Sequence, residues 1–408
     1  MVIGVAGGIA AYKACQLVRL FKESGTEVHV IPTENALNFV GKATFEALSG
    51  NPVSTSVFEA VDQVQHVRLG KDARGLVIAP ATADLIARMA SGRADDLLTS
   101  SVLVATCPIV VVPAMHTEMW FNPATQDNVA SLRRRGIVVM EPARGRLTGV
   151  DSGAGRLPEP SQIFDFAQTV FAGHSFNPDW VGKSVVITAG GTQENLDPVR
   201  FLGNRSSGRQ GFALAELAAQ RGANVTVIAG STEQLPAPIG AEIVNVVSTT
   251  QMKDAVDKYA RSADILIMAA AVADFRPVSS ANTKLKKGAD SSDLNVVELV
   301  ENPDILAGLV AARAAGQLSK DTIIVGFAAE TGDDSFSPLE YAEKKFARKG
   351  CDLLMANDVS GDRVFGRKDN EGWILRKNVP PQAVAHGTKF EIAAHILNGV
   401  NELLAKRV

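Results

Sequence analysis

The sequence predicts an α/β chain of two Rossmann-like, parallel-sheet domains. Two strand–glycine–helix openings predict it: VIGVAGGIAAYKACQLVRLF from Val2 and SVVITAGGTQENLDPVRFLGNRSSGRQGFALAELAAQRG from Ser184. So does the text after each opening, where near-continuous apolar runs alternate with helical periodicity, as in parallel strands covered on both faces. The halves share an architecture and no short period, which excludes a solenoid. With 408 residues, 46% of them hydrophobic and 21% charged, the chain can fill two or three cores.

In the first half, strands are expected at Val2–Ala6, Val28–Ile31, Leu76–Ala79, Ile109–Val112 and Ile137–Met140. Helices fall between them, notably over Ala10–Ser24 and Asn122–Arg135. The run EPARGRLTGVDSGAGRLPEP, Glu141–Pro160, has no periodicity and reads as a long mobile loop of the functional kind. These elements make a domain over residues 1–173, followed by a linker at 174–183.

The second domain, residues 184–408, repeats the alternation. Strands are expected near Ser184–Thr188, Val225–Ala229, Ile243–Val247, Ile265–Ala269, Val296–Val300, Thr322–Phe327 and Leu353–Ala356. Helices are expected near Gly211–Gln220, Met252–Ala260, Pro303–Ala315, Leu339–Lys349 and Lys389–Leu404.

Charge and cysteine usage narrow the partners. A net charge of −3 gives no field that favours nucleic acid or an anionic membrane. Cys15, Cys107 and Cys351 have neither metal-site nor disulfide-framework spacing, as in a reducing cytosol. No stretch approaches the ~18 uninterrupted apolar residues of a membrane helix. Met1 leads into an apolar run with no basic n-region. The expectation is a cytoplasmic protein that acts on small molecules, with neither nucleic acid nor membrane as partner.

At the first opening, Gly4, Gly7 and Gly8 sit where strand gives way to helix. Glycine lets backbone N–H groups approach an anion, and the helix N-terminus adds positive potential. Ile9 follows, Thr33 closes the second strand, and Ala81 and Thr82 close the third. Strand C-terminal ends are where open α/β sheets hold ligands. The spacing is not G-x-G-x-x-G, so these residues do not read as a dinucleotide fingerprint.

The second opening has TAGGT, Thr188–Thr192, ahead of DPVRFLGNRSSGRQG. Gly190, Gly191, Ser206, Ser207 and Gly208 are donors suited to phosphate, and Arg200, Arg205 and Arg209 add charge. No G-x-x-x-x-G-K-[ST] is present, so a Walker-type NTPase is not expected.

GGIAAYK, the histidine of QHVRLG, APATADLIA and PAMHTEMW resemble the flavin-dependent cysteine decarboxylases. With AAAVADFRP, KLKK, ENPDIL and GFAAET, the whole chain resembles the bifunctional phosphopantothenoylcysteine decarboxylase/phosphopantothenate–cysteine ligases of coenzyme A synthesis. The resemblance implies a flavodoxin-like, FMN-binding first domain. There the cysteinyl thiol is oxidised to a thioaldehyde, carbon dioxide leaves, and the hydride returns, with the cofactor doing the difficult organic step. It implies a CTP-binding second domain that joins phosphopantothenate to cysteine through an acyl-cytidylate.

The family's site residues carry over by position. His66 matches the catalytic histidine, whose ordinary pKa near ~6.5 suits proton transfer. His116 stands where the family usually has asparagine against the substrate carboxylate, and a histidine can donate a hydrogen bond there. Thr148 stands where many members have a cysteine that protonates the enethiolate, and Glu141–Pro160 contains no cysteine. A neutral hydroxyl is a poorer acid than a thiol of pKa ~8.5. His116, water or a loop hydroxyl is therefore expected to complete protonation. Asp151 and Arg156 are expected to help close the loop over substrate.

In the ligase half, the resemblance implies that Met268, Ala269, Ala270, Asp274, Lys284, Pro303, Asp304, Ile305, Leu306, Phe327, Lys345 and Lys349 contact CTP. It makes Asp274 the residue linked to Mg²⁺, which takes hard oxygen ligands. Lys284 is implied to neutralise charge at the phosphate under attack. Asn204 is implied to act after acyl-cytidylate forms, and Arg200 to hold an anionic substrate group. Lys345 and Lys349, four apart on one helix face, suit either a shared anion or the helix C-terminus.

Family packing implies trimers of flavin units and dimers of ligase units, together a dodecamer. Two competing readings stand beside this one. The missing loop cysteine suggests an active ligase fused to a catalytically silent regulatory flavoprotein. The two glycine openings alone suggest a nicotinamide oxidoreductase.

Overall fold

The alternation of apolar strands and amphipathic helices resolves into two main sheets, each parallel at its centre. The computed structural model describes residues 1–57, 65–146, 152–285, 296–333, 335–359 and 369–407. They divide into two units, Met1–Asn177 and Pro178–Val408.

The first unit runs β1 (Val2–Val5), α1 (Tyr12–Glu23), β2 (His29–Pro32), α2 (Lys42–Ser49), α3 (Gln65–Asp72), β3 (Leu76–Ala81), α4 (Ala83–Ser91) and α5 (Leu97–Val104). It continues through β4 (Ile109–Pro113), α6 (Thr117–Trp120), α7 (Pro123–Arg134), β5 (Val138–Val139), β6 (Ala143–Arg146), β7 (Ser152–Arg156) and α8 (Pro160–Phe171). The sheet order is β2-β1-β3-β4-β5, all parallel. This is the flavodoxin-like order, whose switch point lies between β1 and β3. Strands β1, β3 and β4 are buried along their whole length, which is why they read as apolar runs without alternation.

Local chemistry sets the helix boundaries. The Thr82 hydroxyl accepts from Leu85 N–H at 3.3 Å to start α4, and left-handed Gly92 ends it. Asp96 and Thr99 form a capping box at α5, and Asn122 caps α7 ahead of Pro123.

The Glu141–Pro160 segment is not the structureless loop its composition suggests. Strands β6 and β7 within it pair antiparallel, with Arg144 opposite Ala154 and Arg146 opposite Ser152. Their glycines hide the strand pattern: Gly145 and Gly155 hold φ of 151° and 132°, conformations that L side chains rarely take.

The second unit runs β8 (Ser184–Ala189), β9 (Gln193–Asn195), β10 (Phe201–Gly203), α9 (Arg209–Gln220), β11 (Asn224–Ala229), β12 (Ala241–Asn245), α10 (Thr249–Ala260) and β13 (Ile265–Met268). It continues through β14 (Phe275–Pro277), β15 (Leu299–Glu301), α11 (Ile305–Ala314), β16 (Ile323–Glu330), α12 (Pro338–Lys349), β17 (Leu353–Asp358), β18 (Asp369–Arg376), β19 (Val379–Thr388) and α13 (Lys389–Ala405). The main sheet has the order β12-β11-β8-β13-β16-β17-β18-β19. Its first six strands are parallel in the Rossmann order, and β18 and β19 extend it antiparallel.

Three features depart from the sequence expectation. The strand expected at Val296–Val300 is β15, which pairs only with β14 outside the main sheet. Its residues are exposed, so its apolar run does not mark a core strand. Strands β18 and β19 were not foreseen, because Pro380 and Pro381 argue against a strand everywhere except an edge, which is where β19 lies. The 174–183 segment is not uniformly loose: Trp180 is fully buried in the second unit, donates to Asn401 at 3.1 Å, and lies under the Arg221 guanidinium.

Candidate functional site

A cavity of 510 Å³ opens at the C-terminal ends of β1 and β3, the reversal point of the first sheet. Gly8 and Ile9 lead into α1 on one side, and Pro80 and Thr82 line the other. An α-helix N-terminus therefore faces a largely apolar slot, an arrangement that suits a flat ring carrying a phosphate. Tight packing explains the adjoining glycine: a Cβ on Gly7 would meet Asn35 Cβ at 2.6 Å.

Of the residues expected to hold a cofactor, the structure brings Gly8, Ile9 and Thr82 to this cavity. Ala81 is fully buried and its carbonyl accepts from Ala114 N–H at 3.0 Å, so it positions the β3–β4 edge. Thr33 is buried, and its hydroxyl has no hydrogen-bond partner among the described residues. A buried unpaired hydroxyl at a strand end is costly unless a ligand satisfies it, and this fits the flavin expectation.

His116 lines the cavity and forms the N-cap position of α6. The β6–β7 hairpin supplies the facing wall through Arg146, Gly155 and Arg156. Strand β7 is clamped to the His116 segment: Met115 N–H donates to Gly155 O at 2.9 Å, and Thr117 Oγ1 donates to Ala154 O at 2.8 Å. Close approach requires glycine here, since a Cβ on Gly153 would fall 2.2 Å from Thr117 Oγ1.

Lys13 and Arg156 bring positive charge to the cavity, and both reach Glu159 Oε1, at 3.0 and 2.5 Å. Sequence reasoning missed Lys13. Its signal was available: it stands one helical turn past the glycines in GGIAAYK. Thr148 and Asp151 lie outside the described residues.

His66 is not brought to this cavity. It lies on α3, which packs against α5, and its Nδ1 is buried without a hydrogen-bond partner among the described residues. None of Cys15, Cys107 and Cys351 lines the cavity either, and all three are free.

In the second unit the glycine turn again lies at the reversal point, between β8 and β13. Gly190 has φ 77°, and an added Cβ would meet Ser231 O at 2.4 Å. A Cβ on Gly191 would meet Asn204 O at 2.8 Å, so the 204–208 segment folds directly over the turn. Asn204 donates to Val272 O at 2.9 Å, which ties that segment to the end of β13. Arg209 is engaged by Glu233 at 2.6 Å, so its charge is compensated, while Arg205 is exposed.

The residues expected to meet CTP gather along the C-terminal edge of β13 and β16 and the start of α11. Met268 ends β13 opposite Gly326, and Phe327 follows on β16. Asp304 is the N-cap of α11, accepting from Ala307 N–H at 3.0 Å, with Pro303 before it and Ile305 and Leu306 in the first turn. Lys349 pairs with Asp304 and Lys345 with Glu330, so α12 reaches both edges of this strip. The two lysines are thus held by separate carboxylates, not left facing each other. Lys284 is exposed.

A buried polar cluster not foreseen in the sequence supports the strip. Thr192 Oγ1 lies 3.0 Å from Thr249 Oγ1 and accepts from Ala273 N–H at 2.9 Å. Asn302 donates to Ala273 O at 2.9 Å, and its own N–H reaches Asp274 O at 2.8 Å. The glycine turn, Asp274 and the Pro303 segment are thereby fixed together. Among the described residues no three His, Cys, Asp or Glu side chains converge as a metal site. Exposed Asp274 therefore suits Mg²⁺ only if phosphate oxygens and water supply its other ligands.

A family model described as flavoprotein matches residues 1–172, and one described as DNA/pantothenate metabolism flavoprotein C-terminal domain matches residues 180–404. The chain is 57% identical over 405 residues to the coenzyme A biosynthesis bifunctional protein CoaBC of Mycolicibacterium smegmatis, covering 99% of this chain and 97% of that one. It is 56% identical over 406 residues to the protein of that name from Mycobacterium tuberculosis, with the same coverage. It is 44% identical over 407 residues to the one from Vibrio vulnificus, covering 99% of this chain and 98% of that one.

Proposed function

This chain belongs to the CoaBC family of bifunctional coenzyme A biosynthesis proteins, and on that premise we propose how its two units divide the work. It is a bifunctional enzyme, a ligase and a flavoprotein decarboxylase in one chain. The second unit joins phosphopantothenate to cysteine, using CTP and releasing pyrophosphate and CMP. The first unit decarboxylates the resulting phosphopantothenoylcysteine to phosphopantetheine.

The observation that carries this reading is the repeated placement of a glycine turn at the strand-order reversal of each sheet. We assign FMN to the first of these. The chemistry it supplies when bound is the temporary removal of a hydride from the cysteinyl carbon next to sulfur. Gly8, Ile9 and Thr82 would orient the cofactor, and the Thr33 hydroxyl would gain a hydrogen-bond partner from it. His116 donates to the substrate carboxylate. Lys13 and Arg156 hold the phosphate of the substrate. The β6–β7 wall excludes water.

In the second unit the β13–β16 edge holds the cytidine and ribose, and Lys345 and Lys349 turn from their carboxylates toward the triphosphate. Asp274 would hold Mg²⁺, which would offset charge on the phosphates. Lys284 offsets charge at the α-phosphate as the substrate carboxylate attacks it, and pyrophosphate leaves. Arg200 steers the anionic substrate, and Asn204 acts when the cysteine amine displaces CMP.

We assign His66 to a second copy's cavity. The support is that His66 does not line its own cavity, together with the apolar surface that a monomer would leave wet. Ile9, Tyr12 and Met119, which line that cavity, are 62%, 61% and 46% exposed, and Phe121, just past α6, is 57% exposed. Packing as flavin-unit trimers would cover them. Exposed Phe275, Val278 and Leu299 suit a ligase-unit dimer, and the two contacts together give a dodecamer. No helix among the described residues is long and apolar enough to cross a membrane, and we place the enzyme in the cytoplasm.

A second reading has one observation in its favour: no cysteine lies in Glu141–Pro160. On it, the first unit binds flavin without turnover. Carbon dioxide release from supplied phosphopantothenoylcysteine decides between them. The main reading predicts release by the yellow protein. Protein that stays colourless after reconstitution with FMN, and yields no pyrophosphate from CTP with phosphopantothenate, contradicts it.

A further inference from the structure

The turn between β9 and β10 contains a buried acid that no step above uses. Asp197 is 1% exposed. Its Oδ1 accepts from Val199 N–H at 2.7 Å and Arg200 N–H at 2.8 Å, which closes the turn. That bonding would satisfy a turn-capping aspartate. The second oxygen does something a cap does not need. Oδ2 accepts from Leu285 N–H at 3.2 Å, across 88 residues of sequence, and lies 3.6 Å from an Arg200 guanidinium nitrogen.

Arg200 completes the link by donating to Leu285 O at 2.8 Å. Ala281 N–H also donates to Leu196 O at 2.9 Å. Residues 281–285, which carry Lys284, therefore hang on the 196–200 turn, which carries Arg200. One carboxylate therefore bonds both the backbone next to Lys284 and the turn that carries Arg200. Burying an acid is costly unless its lone pairs and charge are met, and here three N–H donors and the Arg200 guanidinium meet them.

We propose that Asp197 is a positioning residue of the ligase reaction: it fixes Lys284 and Arg200 in one register, so that the phosphate under attack and the attacking anion meet their cations together. The proposal rests on the roles given above to Arg200 and Lys284. Asp197 touches neither nucleotide nor acid. It acts through its two neighbours.

The test uses the full-length protein with CTP, Mg²⁺ and phosphopantothenate, following pyrophosphate. Asp197→Asn keeps one acceptor oxygen and replaces the other with an NH2 donor, which faces an N–H group whichever way the amide is turned, and misplacement on the scale of an ångström costs roughly 10²-fold in rate. Pyrophosphate release is expected to fall by that order, while decarboxylation of supplied phosphopantothenoylcysteine keeps the parental rate. Amide exchange is expected to quicken together in the peptides holding Val199–Arg200 and Leu285.

The discriminating comparison is a cycle. If Asp197 works only through its neighbours, Asp197→Asn added to Arg200→Ala/Lys284→Ala changes the rate by less than about 2-fold. A fully multiplicative loss overturns the proposal, as does an Asp197→Asn variant at the parental rate when the Arg200→Ala/Lys284→Ala pair is impaired. Parental turnover by that pair overturns the roles given to Arg200 and Lys284 and this inference with them. If Asp197→Asn loses cooperative melting, Asp197→Ser, which keeps a small acceptor, goes through the same cycle.

Discussion

Gly155 lies so close to Met115 that a Cβ added to it would sit 2.2 Å from the Met115 carbonyl oxygen, and the Met115 N–H already donates to Gly155 O at 2.9 Å. Strand β7 can lie against the His116 segment only because it has no side chain there. Gly155→Ala is therefore expected to lift the hairpin off the cavity and slow decarboxylation by roughly 10–100-fold, the cost of a misplaced wall. Ligase turnover is expected to be unchanged. Parallel assays of carbon dioxide and pyrophosphate check both halves of the expectation.

His116 faces the cavity at the N-cap position of α6, and no cysteine lines that cavity. If the imidazole is the donor that completes turnover, His116→Asn binds substrate but protonates it slowly. The expected signature is a kcat lowered by about 10²–10⁴-fold, the usual range for a lost acid–base group, with KM nearly constant. Full turnover by His116→Asn would remove His116 from that role.

Burial pushes the Cys351 thiol up to about 11, and desolvation also raises Cys15 and Cys107. A raised pKa keeps each thiol protonated at neutral pH and slow to react. Pretreatment with iodoacetamide at pH 7.5, followed by removal of the reagent, is expected to leave decarboxylation at the parental rate. Rapid inactivation matched to alkylation of one of these residues would show that a thiol takes part.

Burial raises the Asp304 carboxyl, but the Ala307 N–H and Lys349 outweigh it and hold the group below the ordinary carboxylate range. A folded pKa below the unfolded value stabilises at every pH above the unfolded value. That contribution is lost as pH falls through the folded one. The melting temperature of Asp304→Asn is therefore expected to lie below the parent from pH 5 to 8, and the gap to close under more acidic conditions. A gap independent of pH would contradict the pairing.

Trp180 is fully buried beneath Arg221 in a stretch that composition marks as linker. Trp180→Ala is expected to cost the second unit about 3–5 kcal/mol, with flavin retention by the first unit unchanged. Two-transition melting, with and without flavin, measures this.

The segment around Trp180 shows what the sequence made legible and what it did not. Parallel strands such as Val2–Val5 and Ile265–Met268 were readable because double-sided burial leaves an unbroken apolar run. Gly8, Thr82 and His116 were readable because turn chemistry at strand ends is local. Trp180 was not, since its partners Arg221 and Asn401 are remote in the chain. Asp197 and Asn302 were hidden for the same reason: their work is to bond segments that sequence spacing does not relate. Strand β7 was obscured by the very glycines that let it approach Met115 and Thr117. His66 was read as a site residue, and it lies apart from the cavity that holds His116.

The most direct measurement supplies the purified full-length protein with phosphopantothenate, cysteine, CTP and Mg²⁺ and counts products over one time course. One pyrophosphate is expected for each phosphopantothenoylcysteine formed, then one carbon dioxide for each phosphopantetheine, with no net consumption of an external reductant. Accumulation of phosphopantothenoylcysteine without carbon dioxide, by protein that carries its full complement of flavin, would contradict it.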